Sequence, residues 1–275
     1  MTRIPSNGSP PGGEVNFPAG RGEGNMTTIV LAAGYGTRLY PLTLDKPKAL
    51  LEVGNKTILD RLFEEVARIK EADRVYIVTN EKFYKSFEDW KEKSTYSLKI
   101  EVINDETKSN ETRLGAIGDI SLAMNKKNIA EDVLITGSDN LFEFELRDFT
   151  NFGLLKKPFS SIALFDVKDK VLAKKYGICS LDKNGRVVDF TEKPESPAST
   201  LAATALYFIP GEKTAKISAY MKSGLSKDAP GNLMKWLSEV DKLFGYVTEE
   251  KWHDIGDKES LEKANLDFTR KGKRK

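Results

Sequence analysis

Cysteine and histidine are nearly absent from this chain: there is one of each in 275 residues, Cys179 and His253. A single cysteine closes no internal disulfide, so oxidative stapling is excluded and a reducing, cytoplasmic compartment is expected. A single histidine excludes His-rich metal sites and leaves a Ser/His/Asp triad only one base. An excess of one charge is missing as well. Lys and Arg number 43 against 41 Asp and Glu, a formal sum of +2. That argues against a nucleic-acid binder, whose domain is usually strongly basic. No run of 18 apolar residues occurs, so no membrane partner is expected. What is present is 39% hydrophobic and 31% charged sequence. This is a globular balance, in a length that suits one large domain or two small ones.

Residues 1–25 are dominated by Pro and Gly with scattered apolar positions. They cannot bury enough surface to offset their ordering entropy, and they lack the apolar stretch of a secretory signal. They are expected to be a disordered N-terminal extension, or an over-long start with Met26 as the true first residue. A single domain is expected over 26–268. A basic tail over 269–275 reads as a solvated, frayed terminus, with phosphate binding as the alternative.

From Thr27 the pattern changes. Ile29 to Ala33 is a short apolar run ending in glycine, which predicts a fully buried strand. Residues 57–70 place Ile58, Leu59, Leu62, Phe63, Val66 and Ile69 on one helical face. Strands are predicted at 74–79, 98–103 and 132–136, with helices at 81–93 and 113–124 between them. Strand alternating with helix implies right-handed crossovers and a parallel sheet. The second half is richer in strands, at 160–167, 176–181, 186–191, 201–209 and 244–248. Helices are predicted at 213–221, 232–240 and 258–268. Asn184-Gly185 predicts a hairpin through a type I′ turn, which needs positive φ at both central residues.

Leu31 to Leu51 carries the most chemistry. A buried strand runs into Gly34-Tyr35-Gly36-Thr37-Arg38, and glycines there let the backbone approach an anion. The segment is not a Walker A loop. Nor is it the dinucleotide fingerprint, because Leu39 stands where the third glycine belongs. Arg38 offers a planar fork to phosphate oxygens, and Lys48, behind Pro41 and Pro47, a point charge. On spacing alone a surface turn with solvated cations fits at least as well.

The string LAAG-x-GTRL-x-PLT-x-x-x-PKALL-x-V resembles the opening signature of the sugar-1-phosphate nucleotidyltransferases, the NDP-sugar pyrophosphorylases. Gly137-Ser138-Asp139-Asn140 resembles that family's metal-binding turn. Tyr176-Gly177, DKNGRV at 182–187 and FTEKP at 190–194 resemble its sugar-phosphate segment. WHDIG at 252–256, ESL at 259–261 and Ala264-Asn265 resemble its closing block. The blocks keep the family's order over residues 26–268.

The resemblance implies an α/β fold of the GT-A-like (Rossmann-like) nucleotidyltransferase type. A mostly parallel central sheet would be flanked by helices; without hexapeptide repeats in the sequence, no C-terminal β-helix is expected. It implies transfer of a nucleoside monophosphate from an NTP to a sugar 1-phosphate, with release of pyrophosphate. It also implies roles. Ala33, Gly34, Gly36 and Thr37 would lie along the nucleotide. Arg38 would hold the leaving pyrophosphate, and Lys48 would offset phosphate charge. Lys193 would bind the sugar phosphate, Glu192 a sugar hydroxyl, and Gly177 the sugar through its backbone. Asp139 and Asp254, 115 residues apart, would hold Mg²⁺, which takes few carboxylates and completes its shell with phosphate oxygens and water. Read without the resemblance, each Asp fits a turn or a helix cap better than a metal site. A homo-oligomer is compatible with the family.

Two departures stand out. Ser138 replaces the glycine expected directly before Asp139. The glutamine that thymidylyl and uridylyl enzymes carry before the third helix is absent from 104–116. Arg113 lies near the base-contacting glycine, either on the nucleotide or as a helix-start cation, so base preference stays open. His253 and Asp254, as neighbours on an extended segment, are expected on opposite faces, with His253 structural. Cys179 is expected in the core, and so is Trp236, with the loop before it as an alternative cover for the sugar. Two other activities remain: cytidylyl transfer to a phosphorylated alcohol such as phosphocholine, and a nucleotide-binding regulatory domain without catalysis.

Overall fold

The computed structural model describes residues 26–272; the expectations for residues 1–25 and for the end of the basic tail fall outside them. In chain order the elements are β1 Met26–Leu31, β2 Glu52–Val53, β3 Lys56–Thr57, α1 Ile58–Val66, β4 Ala72–Thr79, α2 Tyr84–Lys93, β5 Lys99–Asn104, α3 Ala116–Lys127, β6 Asp132–Gly137, β7 Asn140–Phe142, α4 Leu146–Lys156, β8 Ser160–Asp166, α5 Lys170–Ala173, β9 Gly177–Leu181, β10 Val187–Glu192, β11 Leu201–Ile209, α6 Ala215–Lys222, α7 Pro230–Val240, β12 Leu243–Thr248, β13 Trp252–Asp254 and α8 Lys258–Gly272.

Strands β5, β4, β1 and β6 lie side by side and parallel. β11 runs antiparallel between β6 and β8, and β12 is parallel to β8. The sheet is therefore mostly parallel, as expected. Ile29 and Val30 in β1 are both fully buried, because helices cover both faces. Ile29 packs with Ile117 and Ile120 of α3 and Leu233 of α7, and Val30 with Leu59 and Phe63 of α1 and Phe149 of α4. α1 starts on a reciprocal cap: the Thr57 hydroxyl accepts from the Asp60 N–H, and the Asp60 carboxylate accepts from the Thr57 N–H.

β11 breaks register between Ala203 and Tyr207, with Ala205 at φ 53°. The break lets one edge of the strand serve two neighbours while the other stays on β8: Leu201–Ala202 bond to β9, and Leu206–Ile209 to β6. It thereby carries the β9–β10 hairpin beside the nucleotide half.

Several boundaries differ from expectation. The 113–124 helix begins at Ala116, because its first free N–H groups find partners far along the chain: Ala116 and Ile117 donate to the carbonyls of Asp228 and Lys227, each at 3.0 Å. Arg113 is left in the preceding loop. The β9–β10 turn is not type I′. Only Gly185 has positive φ (78°). The Asp182 carboxylate instead accepts from the N–H groups of Asn184 and Arg186, an Asx device that removes the need for a left-handed Asn184. The 81–93 helix starts at Tyr84, after Asn80 accepts from the Phe83 N–H.

Near the C-terminal end, α8 packs back onto the early loop. Leu261, Ala264 and Phe268 join Leu39, Val53, Ile58, Leu141 and Ile255 in one apolar cluster. The Gly54 N–H donates to Asn265 Oδ1 at 2.7 Å, and Arg61 lies over the Phe268 ring at 4.3 Å.

Candidate active site

A cavity of about 420 Å³ opens past the carboxyl ends of β1 and β6, where parallel sheets place ligands. Its walls come from the loop after β1, the start of α3, the β6–β7 turn, the β9–β10 hairpin, the loop before α7, and β13.

The loop after β1 supplies Ala33, Gly34, Gly36, Arg38 and Lys48 to this wall. A Cβ on Gly34 would meet nothing within 4 Å, so its backbone faces open space. Gly36 sits at φ 62° and turns the chain into a single helical turn at Thr37–Leu39. The Thr43 hydroxyl closes that turn by donating to the Gly36 carbonyl at 2.7 Å. The turn leaves Thr37 exposed and off the cavity wall, unlike its neighbours. The Arg38 guanidinium lies beside Gly256 and Asp254: a Cβ on Gly256 would be 3.6 Å from both terminal nitrogens of Arg38 and 3.7 Å from Asp254 Oδ2.

The two acids sit together because β7 and β13 pair. Asp254 is in register with Asn140, and the Ile255 N–H donates to the Asp139 carbonyl at 2.9 Å. Both carboxylates line the cavity. Asp139 Oδ2 accepts from Lys48 Nζ at 2.5 Å, and Asp139 Oδ1 from Asn140 Nδ2 at 2.8 Å. The other end of the Asn140 amide accepts from Trp252 Nε1 at 2.6 Å. An indole nitrogen only donates, which fixes the amide's orientation. Gly137 lacks a side chain where one would fall 2.6 Å from Asn140 Nδ2 and 2.8 Å from Asp139 Oδ1.

Burial and the facing Asp139 charge push the Asp254 carboxyl up to about 6, against the pull of Lys48 and Arg38. Two acids held this close are relieved by a cation. Among the described residues no group of three or more His, Cys, Asp or Glu forms a closed metal cage. The pair therefore fits an ion that takes one or two carboxylates and leaves room for phosphate oxygens.

At the other end, Gly177 in β9 is in register with Glu192 in β10. Glu192 Oε2 is wedged between two glycines: a Cβ would approach it to 2.9 Å from Gly177 and to 2.8 Å from Gly231. Burial raises the Glu192 carboxyl, and Lys193 partly offsets this. Lys193 follows at φ 46°, its N–H donating to the Tyr176 carbonyl at 3.0 Å and its Nζ 3.9 Å from Glu192 Oε1. Arg113 lines the same cavity but is paired: Nε donates to Asp228 Oδ1 at 2.9 Å, and a terminal nitrogen to the Asn110 carbonyl at 2.8 Å.

Sequence reasoning missed several wall residues, Lys175, Asn140, Trp252 and Asp119, whereas the Asp228–Gly231 loop, expected as an alternative cover for the sugar, does line the cavity. Asn140 and Trp252 lay inside the quoted blocks but had no assigned task. Asp119 is 5% exposed and shares a hydrogen bond with Asp105. Burial and the Asp105 charge push it up to about 8. Asp119 Oδ1 and Asp105 Oδ2 are both buried without a hydrogen-bond partner. His253 points away from the cavity, with Nε2 3.1 Å from Glu143 Oε1. Cys179 is fully buried, and burial raises its thiol far beyond reactivity. Trp236 packs edge-on against Tyr220, while the loop before it forms part of the cavity wall.

The cavity at the carboxyl ends of parallel strands, with loop glycines, cations and a carboxylate pair, sits in a chain that belongs to the nucleotidyl transferase family, whose model matches residues 27–271. Its relatives include a Sulfolobus acidocaldarius protein provisionally named mannose-1-phosphate guanyltransferase, 28% identical over 243 residues. That match covers 88% of this chain and 63% of the relative, so the chain spans less than two thirds of that protein. The UTP–glucose-1-phosphate uridylyltransferase AglF of Haloferax volcanii is 30% identical over 188 residues, covering 66% of this chain and 71% of AglF. In fold the chain is similar to a UDP-glucose pyrophosphorylase crystallised with UDP-glucose, at TM-score 0.75 and 20% identity, covering 90% of this chain and 99% of that one.

Proposed function

We propose that this chain is a sugar-1-phosphate nucleotidyltransferase. A phosphate oxygen of the sugar 1-phosphate attacks the α-phosphorus of an NTP in line. The new P–O bond joins sugar phosphate to nucleoside monophosphate, the bond from the α-phosphorus to the bridging oxygen breaks, and pyrophosphate leaves with that electron pair. Such chemistry asks for alignment and charge neutralisation rather than a protein nucleophile. The observation that carries the reading is the convergence of Arg38, Lys48, Asp139 and Asp254 on one cavity, with Glu192 and Lys193 at its far wall.

Asp139 and Asp254 would hold Mg²⁺, which when bound neutralises phosphate charge as a Lewis acid. The chain's own groups do the rest. Ala33, Gly34 and Gly36 leave room for the nucleotide along the loop. Arg38 holds the departing pyrophosphate, with Lys48 beside the α-phosphate. Glu192 accepts a sugar hydroxyl, Gly177 lets the sugar lie against the backbone, and Lys193 binds its phosphate. Arg113, tied to Asp228, braces the nucleotide-side loop against the loop before α7. The family relatives' names favour a sugar phosphate over phosphocholine, and the intact cation and carboxylate set favours catalysis over a regulatory role. With one buried thiol, a reducing compartment such as the cytoplasm suits the chain.

The test is pyrophosphate release over a grid of NTPs and sugar 1-phosphates, with phosphocholine as a further acceptor, in Mg²⁺ and in EDTA. Turnover with a sugar 1-phosphate, abolished by EDTA, is expected. No turnover for any pair, or turnover with phosphocholine alone, refutes it.

A further inference from the structure

Five cations line the cavity: Arg38, Lys48, Arg113, Lys175 and Lys193. Lys48 is paired with Asp139, Arg113 with Asp228 and, loosely, Lys193 with Glu192. Among the described residues, Arg38 and Lys175 are the cavity cations without a carboxylate oxygen within 4 Å. Arg38 has a proposed task; Lys175 has none.

The backbone around Lys175 is held on both sides. It closes the turn after α5, with its N–H donating to the Leu172 carbonyl at 3.0 Å and the Tyr176 N–H to the Ala173 carbonyl at 3.1 Å. The Tyr176 ring packs edge-on against Trp252, centroids 5.1 Å apart. The β9–β10 pairing continues past Gly177 and Glu192 through the bond from the Lys193 N–H to the Tyr176 carbonyl. Lys175 and Lys193 therefore emerge at the same end of the hairpin, on the same cavity. On its other side Lys175 shares with Arg38 the field around Asp257, whose carboxyl both cations draw down after its bonds to Ser260. Lys175 thus lines one cavity with the proposed sugar-phosphate lysine and the pyrophosphate arginine, and like that arginine lies within electrostatic reach of Asp257. An exposed ammonium there has no ion pair to break when a dianion arrives and gives up only hydration water.

We propose that Lys175 binds phosphate in this cavity, forming with Lys193 a two-lysine clamp on the sugar 1-phosphate. This rests on the nucleotidyltransferase reading for the identity of the ligand. Lys174, exposed and one residue away but off the cavity wall, is the natural control for charge alone.

The experiment compares K175M, K175R and K174M with the unaltered protein on the best NTP–sugar pair. K175M is expected to raise KM for the sugar phosphate about tenfold, an effect of about 1.4 kcal/mol, with KM for the NTP within twofold. K175R should recover most of the loss, and K174M should match the unaltered protein. Binding of glucose 1-phosphate and of inorganic phosphate, followed by NMR titration without NTP, should weaken in K175M and not in K174M. Equal behaviour of K175M and K174M overturns the clamp while leaving the transferase reading intact. Weakened binding in K175M without turnover of any pair leaves the clamp and removes the transferase reading. Failure of the unaltered protein to bind either probe overturns the clamp.

Discussion

Replacing Asn140 by Ala cuts the link from Trp252 to the carboxylate of Asp139. Asn140 is 2% exposed and makes two bonds, accepting from Trp252 Nε1 and donating to Asp139 Oδ1. The bond to an ionised carboxylate is worth about 1.5–3 kcal/mol, and stranding a buried indole N–H costs about 1–3 kcal/mol. Because the contributions overlap, a net loss of about 2–4 kcal/mol is expected in urea unfolding. Asp139 then keeps only the Lys48 bond on Oδ2 to orient it, so metal affinity should fall about 10- to 100-fold. Mn²⁺ binding followed by EPR, with no nucleotide present, measures this directly. Asn140→Asp keeps an acceptor for Trp252 but sets a carboxylate against Asp139, so it should retain the Trp252 bond while losing stability as pH rises. Mn²⁺ affinity within twofold of the unaltered protein in Asn140→Ala, at equal occupancy of the folded state, would refute the idea that this amide orients Asp139.

Lys48→Met releases Asp139 Oδ2 from its ammonium partner. Turnover should fall at least 100-fold, while Mn²⁺ binding without nucleotide tightens about tenfold, since a charge-assisted bond no longer competes; unchanged EPR binding would show that Lys48 does not occupy the ligand's oxygen. Gly115→Ala places a methyl 2.5 Å from the Lys227 carbonyl oxygen at a residue with φ 78°. A loss of about 2–4 kcal/mol in urea unfolding is expected from the backbone strain and the two cap bonds it disturbs. Asp119, raised to about 8 in the fold, contributes stability that is fully present below its unfolded value near 4 and lost as pH rises through 8. Between pH 6 and 9 it accounts for about 2–3 kcal/mol of lost stability, so Asp119→Asn should flatten that limb of the pH–stability curve. An unaltered slope would show that Asp119 is not held protonated by the fold.

Legibility followed the length scale of each signal. β1 and β6 were readable because a strand covered on both faces is an unbroken apolar run, and α1 because its apolar stripe and Thr57 cap lie within one stretch of chain. The start of α3 was not, since its cap is made by carbonyls more than 100 residues later. β7 and β13 have three residues each, too few to show a period. The ladder that unites Asp139 with Asp254 was therefore invisible to spacing, and only the family resemblance paired them. The opposite facing of His253 and Asp254 was legible from strand alternation alone. Lys175 carried no signal, because a lysine beside a turn looks like any solvated lysine until the hairpin register sets it next to Lys193.

The small β7–β13 ladder and the α8 brace also govern when this molecule becomes competent during synthesis. Asp254, one of the two cavity acids, and the helix that steadies the loop bearing Lys48, emerge only after the whole central sheet has been made. A nascent chain released before Trp252 would hold a nearly finished sheet with one of the two cavity acids and an unsupported loop after β1, and on the proposed reading would not turn over.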